Sequence, residues 1–429
     1  MSTLQTTNLK HPDSSGTQVT FTSGGDTTVA GSTTFSSPIK ASKLENASTT
    51  DGGIAVDTAG HVAIDGANFP TAGPLSNRNL IINGDMRIAQ RAAEATNAGA
   101  GFDYLTVDRF KTRNNGPNSA RYTITQNADS PDNQGFDHSL GLEVTTAKGT
   151  LSSNQYQGVS QIIEGLNLQQ LCYGTSNAKD LTLSFWVKSS VTGQYSCHIS
   201  NWSNGRNISR PYTIDTANTW ERKTITIPGD PTTTIPNLNQ LGLEIGWILA
   251  TTSFYNDGTD GSVWHNTSDA GKRHSGQVVE FGAAIGDTWR LTGVQLEVGS
   301  KDTAFEHEGL GQALTKCQRY FNMLAADSYD PVVSMSCFTS GTAYGVYIYP
   351  VEMRADPTLY EQDIAEALRF LSNNSVDLFN GNTFYLDSSR TSTKAARLQV
   401  TSSISVTQGH AGWVELNNQG LKLGLDAEI

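Results

Sequence analysis

The sequence predicts a mostly β protein in three parts: a repeated β attachment segment, a central β-sandwich and a C-terminal α+β domain. Gly, Ser, Thr and Asn separate many short apolar stretches, and 41 Gly stand against 13 Pro, a composition typical of short strands joined by turns. Charged residues are scarce, at 16% of 429. A chain of this length is expected to form two or three folding units. We place them at residues 1–75, 79–300 and 305–429.

Composition and charge exclude several partners. The formal net charge of -12 and a pI near 5.1 argue against the clustered Lys and Arg of a nucleic-acid surface. The sequence contains no apolar run long enough to span a bilayer and does not start with a secretion signal. We therefore expect neither nucleic acid binding nor membrane insertion. The four cysteines form no Cys-x-x-Cys pair, and we expect them to be small buried apolar residues.

The first part of the chain repeats itself. Val19–Gly31 aligns without gaps on Ile54–Gly66, thirty-five positions later, and each unit has two alternating strands around a Gly turn. One unit is too small to bury its few apolar side chains alone. Several copies of the chain, most economically a homotrimer, would cover them. The alternative is a tail that orders only on binding a partner. Either interpretation makes residues 1–75 an attachment segment.

The middle part alternates between apolar strands and polar turns without a long helix, which predicts a two-sheet sandwich. Its first apolar segment is Asn79–Ile88. The further predicted strands are Arg121–Gln126, Leu140–Thr145, Tyr156–Ile163, Leu181–Ser189, Gln194–Ser200, Trp220–Ile227, Leu241–Leu249, Gln277–Ile285 and Trp289–Val298.

A short amphipathic helix links the sandwich to the last part. Apolar residues at steps of three and four predict this helix over Leu310–Leu324, and it must dock on the protein because it is too short to stand alone. We leave open whether it packs at a trimer axis or on its own domain. A second helix is predicted over Leu359–Leu371, surrounded by strands. The last part is therefore predicted to be an α+β domain.

The middle part resembles a jelly roll of the carbohydrate-binding-module type. The similarity rests on Asn79–Met86, Leu183–Lys188, Asn218–Ile227 and Leu291–Glu297. It implies that the first and last strands lie side by side. It also implies a structural calcium between them, for which Asp85 is a candidate ligand, although no acidic residue stands at positions 291–293 to join it. Our prediction is no metal and no cofactor.

Sugar binding in such a fold uses aromatic faces with nearby polar groups. Four tryptophans, at positions 186, 220, 247 and 289, lie in alternating strands and are predicted to be core residues. The candidates for ligand binding stand in polar surroundings that we interpret as loops. They are Trp202, Tyr212, Tyr255 and Trp264. The alternative is that each anchors a loop or a subunit contact.

No catalytic pattern is present. The sequence lacks a Gly-x-Ser-x-Gly elbow, a phosphate-binding Gly-Lys-Ser/Thr loop and a complete His-Glu-x-x-His motif. Carboxylate pairs such as Asp129 and Asp132 could serve a glycosidase only if they faced one cleft. The sequence therefore predicts a protein that is not an enzyme.

The junction between the last two parts resembles a region common in bacteriophage tail-fibre and related virion proteins, including those of cyanobacterial and marine phages. The motifs are Thr292–Ser300, Phe305–Glu308 and Cys317–Phe321, followed by Tyr349–Arg354 and a final Asp-Ala-Glu-Ile. Glu352 stands where such proteins usually have Pro, and Tyr349 where they have Phe. The resemblance implies a structural virion protein that attaches by its N-terminus to tail or capsid proteins and contributes to adhesion to a host glycan. Alternatives are a decoration protein without a receptor, or a polysaccharide depolymerase.

Overall fold

The structure, a computed structural model, describes residues 74, 76–99, 101–114, 116–362, 368–372, 375–379, 384–401, 406–417 and 422–429, with the backbone of six short strands before residue 66. The chain separates into two compact units, Met1–Gly66 and Ala67–Ile429. Strands are the main regular elements in the described part of the chain, which confirms the mostly β class. The finer division into three domains stays a prediction.

The repeat in the first unit is visible in the strand register. Strands β1 (Asn8–Leu9), β2 (Val19–Phe21) and β3 (Thr27–Val29) form one antiparallel sheet, and β4 (Lys43–Glu45), β5 (Gly53–Val56) and β6 (Val62–Asp65) form another. Val19 pairs with Val29, and Ile54 pairs with Ile64. The offset found in the sequence is therefore reproduced position by position in the backbone pairing.

Two six-stranded antiparallel sheets form the sandwich, as predicted. The first sheet has the order β15-β12-β18-β10-β9-β7 and the second β17-β14-β13-β16-β11-β8. The strands are β7 (Glu94–Ala98), β8 (Lys111–Thr112), β9 (Arg121–Asn127), β10 (Ser139–Thr146), β11 (Tyr156–Glu164), β12 (Leu181–Ser189), β13 (Gly193–Asn201), β14 (Arg206–Ile214), β15 (Glu221–Ile227), β16 (Leu241–Thr251), β17 (His265–Asn266) and β18 (Thr288–Val298).

A bulge explains the irregular apolar spacing of β18. Leu291, Val294 and Leu296 all enter the core between the sheets, although the first step is three residues rather than two. The register against β12 shifts at this point, and Gly293 has φ +59°, which is typical of a bulge. An added Cβ at Gly293 would lie 2.7 Å from the Phe136 ring. Glycine is thus required both for the conformation and for the space.

The sequence interpretation differs from the structure at Tyr212 and at Gln277–Ile285. Tyr212, interpreted as a loop residue, lies in strand β14 (Arg206–Ile214). Gln277–Ile285 is not a strand, because its backbone does not follow one neighbour: the amides of Val278 and Val279 both donate to Gln194 O, whereas that of Phe281 donates to Leu249 O. Single bonds to several strands do not build a ladder.

The segment Asn79–Met86 runs beside β18, as the jelly-roll resemblance implies, but it is not a regular strand. Leu80 N donates to Leu296 O at 2.8 Å, and Val294 N donates to Gly84 O at 2.9 Å. Between these bonds the Asn79 side chain replaces the backbone, since its Nδ2 donates to Val294 O and its Oδ1 accepts from Leu296 N, each at 3.0 Å. A side chain thus completes the pairing that a strand would supply.

Helix α1 (Leu310–Gln318) is shorter than predicted. Residues Phe321–Ala325 form strand β19 instead and pair with the last strand of the chain, because tertiary pairing overrides a three-and-four spacing. Ala313 and Cys317 of the helix pack on Ile88 at the beginning of the sandwich. The helix therefore packs on its own chain. Among the described residues, no helix has the length and apolarity needed to cross a membrane.

The C-terminal region has its own hydrophobic core, formed by two sheets. The predicted helix Leu359–Leu371 is wrong, since strands occupy both of its ends and pair with strands distant in sequence. The sheets have the orders β19-β28-β22 and β24-β23-β27-β20-β21-β26-β25. The strands are β20 (Pro331–Thr339), β21 (Thr342–Ile348), β22 (Thr358–Gln362), β23 (Leu368–Ser372), β24 (Ser375–Phe379), β25 (Phe384–Leu386), β26 (Ala395–Thr401), β27 (Ala411–Leu416) and β28 (Lys422–Asp426).

Candidate functional site

The outer face of the second sandwich sheet carries polar residues that are buried. In β13 and β16 the apolar residues alternate toward the core, including Cys197 and Ile245, and His198 and Glu244 point the opposite way. Both are fully buried, because residues between β16 and β18, notably Tyr255 and His274, contact this face. A sheet face that would normally meet water is therefore covered by the protein.

Glu244 stands at the centre of this group. Its Oε2 accepts a hydrogen bond from Trp202 Nε1 at 2.5 Å and lies 3.9 Å from His198 Nε2, and its Oε1 lies 3.0 Å from Arg113 Nε. Burial raises the pKa of Glu244, but His198 and the Arg113 guanidinium lower it by more, so the pKa lies well below the usual range. Burial also lowers the pKa values of His198 and His274. At neutral pH the carboxylate is charged and the imidazoles are neutral.

Aromatic rings and guanidinium groups surround this centre in a continuous series of contacts. Successive groups in the series lie between 4.6 and 5.7 Å apart, centroid to centroid or guanidinium carbon to centroid, within the range for ring and cation–π contacts. The series runs from Phe102 through Arg113, Tyr156 and Tyr255 to Phe254. A branch leaves Tyr255, where Arg273 contacts the Tyr255 ring and also the Trp202 ring. We call these seven residues the aromatic–arginine cluster.

The cluster has an exposed rim and a buried floor. Phe102 and Phe254, at its two ends, are each 47% exposed, and Trp202 and Arg273 are partly exposed. Beneath them, several buried polar atoms make no hydrogen bond to the described part of the chain, among them Ser196 Oγ, His274 Nε2 and Arg273 Nε. Buried polar atoms are normally paired. The accessible part of the cluster is therefore its rim, which offers ring faces and the partly exposed Arg273 side chain.

The structure places the four predicted ligand-binding residues in three settings. Trp202 and Tyr255 come together in the cluster, each within 4.7 Å of the Arg273 guanidinium carbon, measured to the ring centroid. Tyr212 lies in the sandwich core on the other side of the sheet, stacked at 5.6 Å on Tyr195. Trp264 is elsewhere, where its Nε1 donates to Pro228 O at 2.7 Å. The Tyr212 ring faces core residues and is not part of the cluster.

The Asp85 carboxylate makes contacts within the protein itself. It is buried and forms an ion pair with Arg87, whose Nη2 also donates to Glu308 O at 2.6 Å. In the described ranges, no group of three or more His, Cys, Asp or Glu residues is placed to hold a metal ion. Asp85 thus holds Arg87, and Arg87 joins the start of the sandwich to the segment before α1.

The possible glycosidase carboxylate Asp129 is also committed to structural contacts. Its Oδ2 lies 2.8 Å from Lys188 Nζ and 3.3 Å from Arg290 Nη1, and its Oδ1 accepts from Trp220 Nε1 at 2.9 Å. Burial raises the pKa of Asp129, but these contacts lower it by more. A carboxyl group held ionised in this way is unsuited to donate a proton.

The sequence interpretation missed Arg113, His198, Glu244 and Arg273. One signal was available: Glu244 is a single carboxylate within the apolar segment Leu-Gly-Leu-Glu-Ile-Gly-Trp of β16, and a lone charge in such a strand must have a partner. A second signal was the alternation of polar residues with Tyr195, Cys197 and Ile199 in β13.

No protein-family model matches the sequence, and no curated protein matches it. Among solved structures, the enzymatically active domain of tailspike protein 4 of bacteriophage CBA120 is 14% identical, with a TM-score of 0.28 over 51% of this chain and 21% of the tailspike chain. This chain thus spans about a fifth of that protein's length. A family 11 carbohydrate-binding module from Clostridium thermocellum, in complex with a mixed-linked tetrasaccharide, is 12% identical, with a TM-score of 0.22 over 49% of this chain and 97% of the module.

Proposed function

We propose that the protein is an adhesive appendage protein of a bacteriophage particle and that it binds host-surface glycan through the aromatic–arginine cluster. The observation that carries the proposal is the pair of exposed rings, Phe102 and Phe254, joined by continuous contacts above buried polar groups. Pyranose rings offer C–H faces that stack on aromatic rings and hydroxyl groups that need donors and acceptors. The rim of the cluster supplies ring faces, from Phe102 and Phe254, and donors from the partly exposed Arg273 guanidinium.

Attachment to the particle is the part of the proposal that the first unit supports. Two three-stranded sheets built of strands of two to four residues are too small to be stable alone. Association of three copies would cover them, and residues 1–75 would then join the appendage to tail or capsid proteins. The resemblance of the junction after β18 to phage tail-fibre proteins supports the virion as the location.

The binding experiment uses the full chain on a glycan array, followed by titration of the best glycan. We expect the double substitution Phe102→Ala, Phe254→Ala to weaken binding by about tenfold or more, since each lost stacking contact costs about 0.5 to 1.5 kcal/mol. Ile285→Ala is the matched control, because Ile285 is an exposed apolar residue of the same sandwich outside the cluster. If no glycan binds, a decoration protein without a receptor replaces this proposal.

The proposal is for binding without hydrolysis. Glycosidases use two carboxyl groups, one of which must donate a proton, whereas the carboxyl group of Glu244 stands among arginines and imidazoles with a lowered pKa. We expect no new reducing ends when the protein is incubated with a glycan that it binds. Release of reducing sugar would identify a depolymerase instead.

A further inference from the structure

The seven-stranded sheet of the C-terminal region covers a core with one face and leaves the other face open. In β20, β21 and β27 the residues Met335, Ala343 and Val414 are buried in that core, and the residues between them point the other way. On this second face Val346 is 64% exposed and Trp413 is 44% exposed. Large apolar side chains concentrated on one open face indicate an interaction surface.

A shallow depression of about 380 Å³ lies on this face. Strand register places Ala411, Ser336 and Tyr344 in one row across β27, β20 and β21, and pairs Trp413 with Ser334 in the next row. The bottom is therefore formed by small residues, and Tyr344 stands on one side. Trp413 follows Ala411 by two residues on the same face, so it lies next to the side of the depression that Ala411 lines, just outside the lining itself.

Both aromatic rings are held in place. Trp413 Nε1 donates to Glu415 Oε2 at 2.8 Å, and Glu415 is itself ion-paired with Arg369. On the other side, the Arg397 guanidinium carbon lies 3.8 Å from the Tyr344 ring centroid, and its Nη1 lies 3.6 Å from Asp387 Oδ2. A ring fixed in advance loses little conformational entropy when a ligand stacks on it.

Both guanidinium groups beside the depression already have a carboxylate partner. Arg369 pairs with Glu415, and Arg397 pairs with Asp387, which Arg390 also contacts. Besides Arg397, the outward side chains that line the depression offer hydroxyl groups, from Ser334 and Ser336, and methyl groups, from Val346 and Ala411. An uncharged ligand with hydroxyl groups and flat apolar faces matches these features, whereas a charged ligand would have to displace an existing ion pair.

We infer that this depression is a second glycan-binding site, specific for uncharged oligosaccharides, with one sugar ring stacked on Trp413 and a neighbouring ring against Tyr344. Ser334 and Ser336 are placed to bond the hydroxyl groups between them. The site is independent of the aromatic–arginine cluster, because it lies in a different sheet over a different core. An appendage with two sites on one chain gains avidity when both reach the same surface.

The experiment measures binding of uncharged gluco-, manno- and galacto-hexasaccharides to the full chain by ligand-observed NMR and calorimetry. We expect Trp413→Ala to weaken binding of at least one of them about tenfold and Trp413→Phe to retain most of it. Ser336→Leu, which places a bulky side chain at the bottom of the depression beside Tyr344, should weaken binding similarly. The control is Ile348→Ala on the same face outside the depression. Circular dichroism verifies folding of each variant.

Three outcomes overturn the inference: no hexasaccharide binds, Trp413→Ala and Ser336→Leu bind as the unaltered chain does, or Trp413→Ala lowers the mass in sedimentation and so identifies a contact between copies. The Phe102→Ala, Phe254→Ala variant separates the two proposals. If it binds the hexasaccharides normally and Trp413→Ala does not, the second site stands whatever becomes of the first.

Discussion

Arg319 holds Glu164 by two parallel hydrogen bonds, Nε to Oε1 and Nη2 to Oε2, each 2.9 Å long. Arg319 directly follows α1, and Glu164 ends β11 of the sandwich. The Glu164 side chain is fully buried, whereas Arg319 is partly exposed. Burial raises the pKa of Glu164, but the hydrogen bonds from Arg319 lower it by more. The Cys-Gln-Arg-Tyr-Phe motif thus contributes a charged clamp between the sandwich and the terminal region.

We predict that Arg319→Ala lowers the free energy of unfolding by about 2 to 3 kcal/mol, because it leaves a buried carboxylate without its partner. Denaturant unfolding measures the change. Arg222→Ala is the control: Arg222 pairs with Asp302, and both side chains are partly exposed, so its loss should cost less than about 1 kcal/mol. Equal effects of the two substitutions would mean that the clamp contributes no more than a surface pair.

The sequence predicted features that depend on residues close together in the chain better than features that depend on residues far apart in it. The offset between Val19 and Ile54 and the apolar spacing of β18 are local patterns, and both reappear in the structure. The stretch from Leu359 to Leu371 has a spacing that suits a helix, yet its pairing with β27 and β28 depends on residues about forty to seventy positions later. Local spacing cannot decide between two structures when distant strands supply the hydrogen bonds.

The candidate site was harder to predict for the same reason. Arg113, His198, Glu244 and Arg273 come from four separate parts of the chain, and no short motif joins them. The sequence singled out Trp202 and Tyr255 only as aromatic residues in polar surroundings. In the structure the Arg273 guanidinium contacts both rings, and the sequence does not reveal where that side chain lies.

Asp108 gives a prediction for pH dependence. It is buried, with Oδ1 accepting from Gln90 N at 3.0 Å and Oδ2 accepting from Gln90 Nε2 at 2.5 Å. Burial raises the pKa of Asp108 from 3.8 to about 6, although Gln90 and Arg91 oppose the change. The folded protein therefore keeps a proton that the unfolded chain releases between these values. The contribution to stability is greatest at low pH and is lost as the pH rises to about 6.

Carbon-detected NMR of the Asp108 carboxyl group checks this directly, with an expected midpoint near pH 6. Asp108→Asn should flatten the slope of unfolding free energy against pH in this range, whatever it does to stability at a single pH. The Arg319–Glu164 clamp acts with the opposite sign, since the pKa of Glu164 is lowered and its stabilisation is lost as the pH falls below about 4.5. A normal Asp108 midpoint near 3.8 would refute the prediction.

Self-association is predicted to depend on the first unit. The full chain should have the mass of a trimer in light scattering, and a chain beginning at Ala67 should be a folded monomer, since the unit Ala67–Ile429 has its own cores. A chain beginning at Ser32 keeps the second repeat and should remain trimeric with a lower dissociation temperature. A monomeric full chain would contradict the shared-core argument, and a trimeric chain from Ala67 would move the contact into the second unit.

Gly246 provides a test of the packing beneath the aromatic–arginine cluster. It pairs with His198 across β16 and β13, and an added Cβ would lie 2.6 Å from His198 Cε1, closer than a packed interior permits. We predict that Gly246→Ala lowers the unfolding free energy by about 1 to 3 kcal/mol and weakens glycan binding, because the displaced imidazole can no longer lie beside Glu244.

Gly311→Ala is the control, since a Cβ at this position in α1 meets nothing and should stabilise the helix by up to about 1 kcal/mol. Unfolding and glycan titration are measured on both variants. If Gly246→Ala loses stability but binds as before, the imidazole is not needed for the cluster's binding surface; if it loses neither, His198 moves aside without cost and the tight packing assigned to this strand pair is wrong.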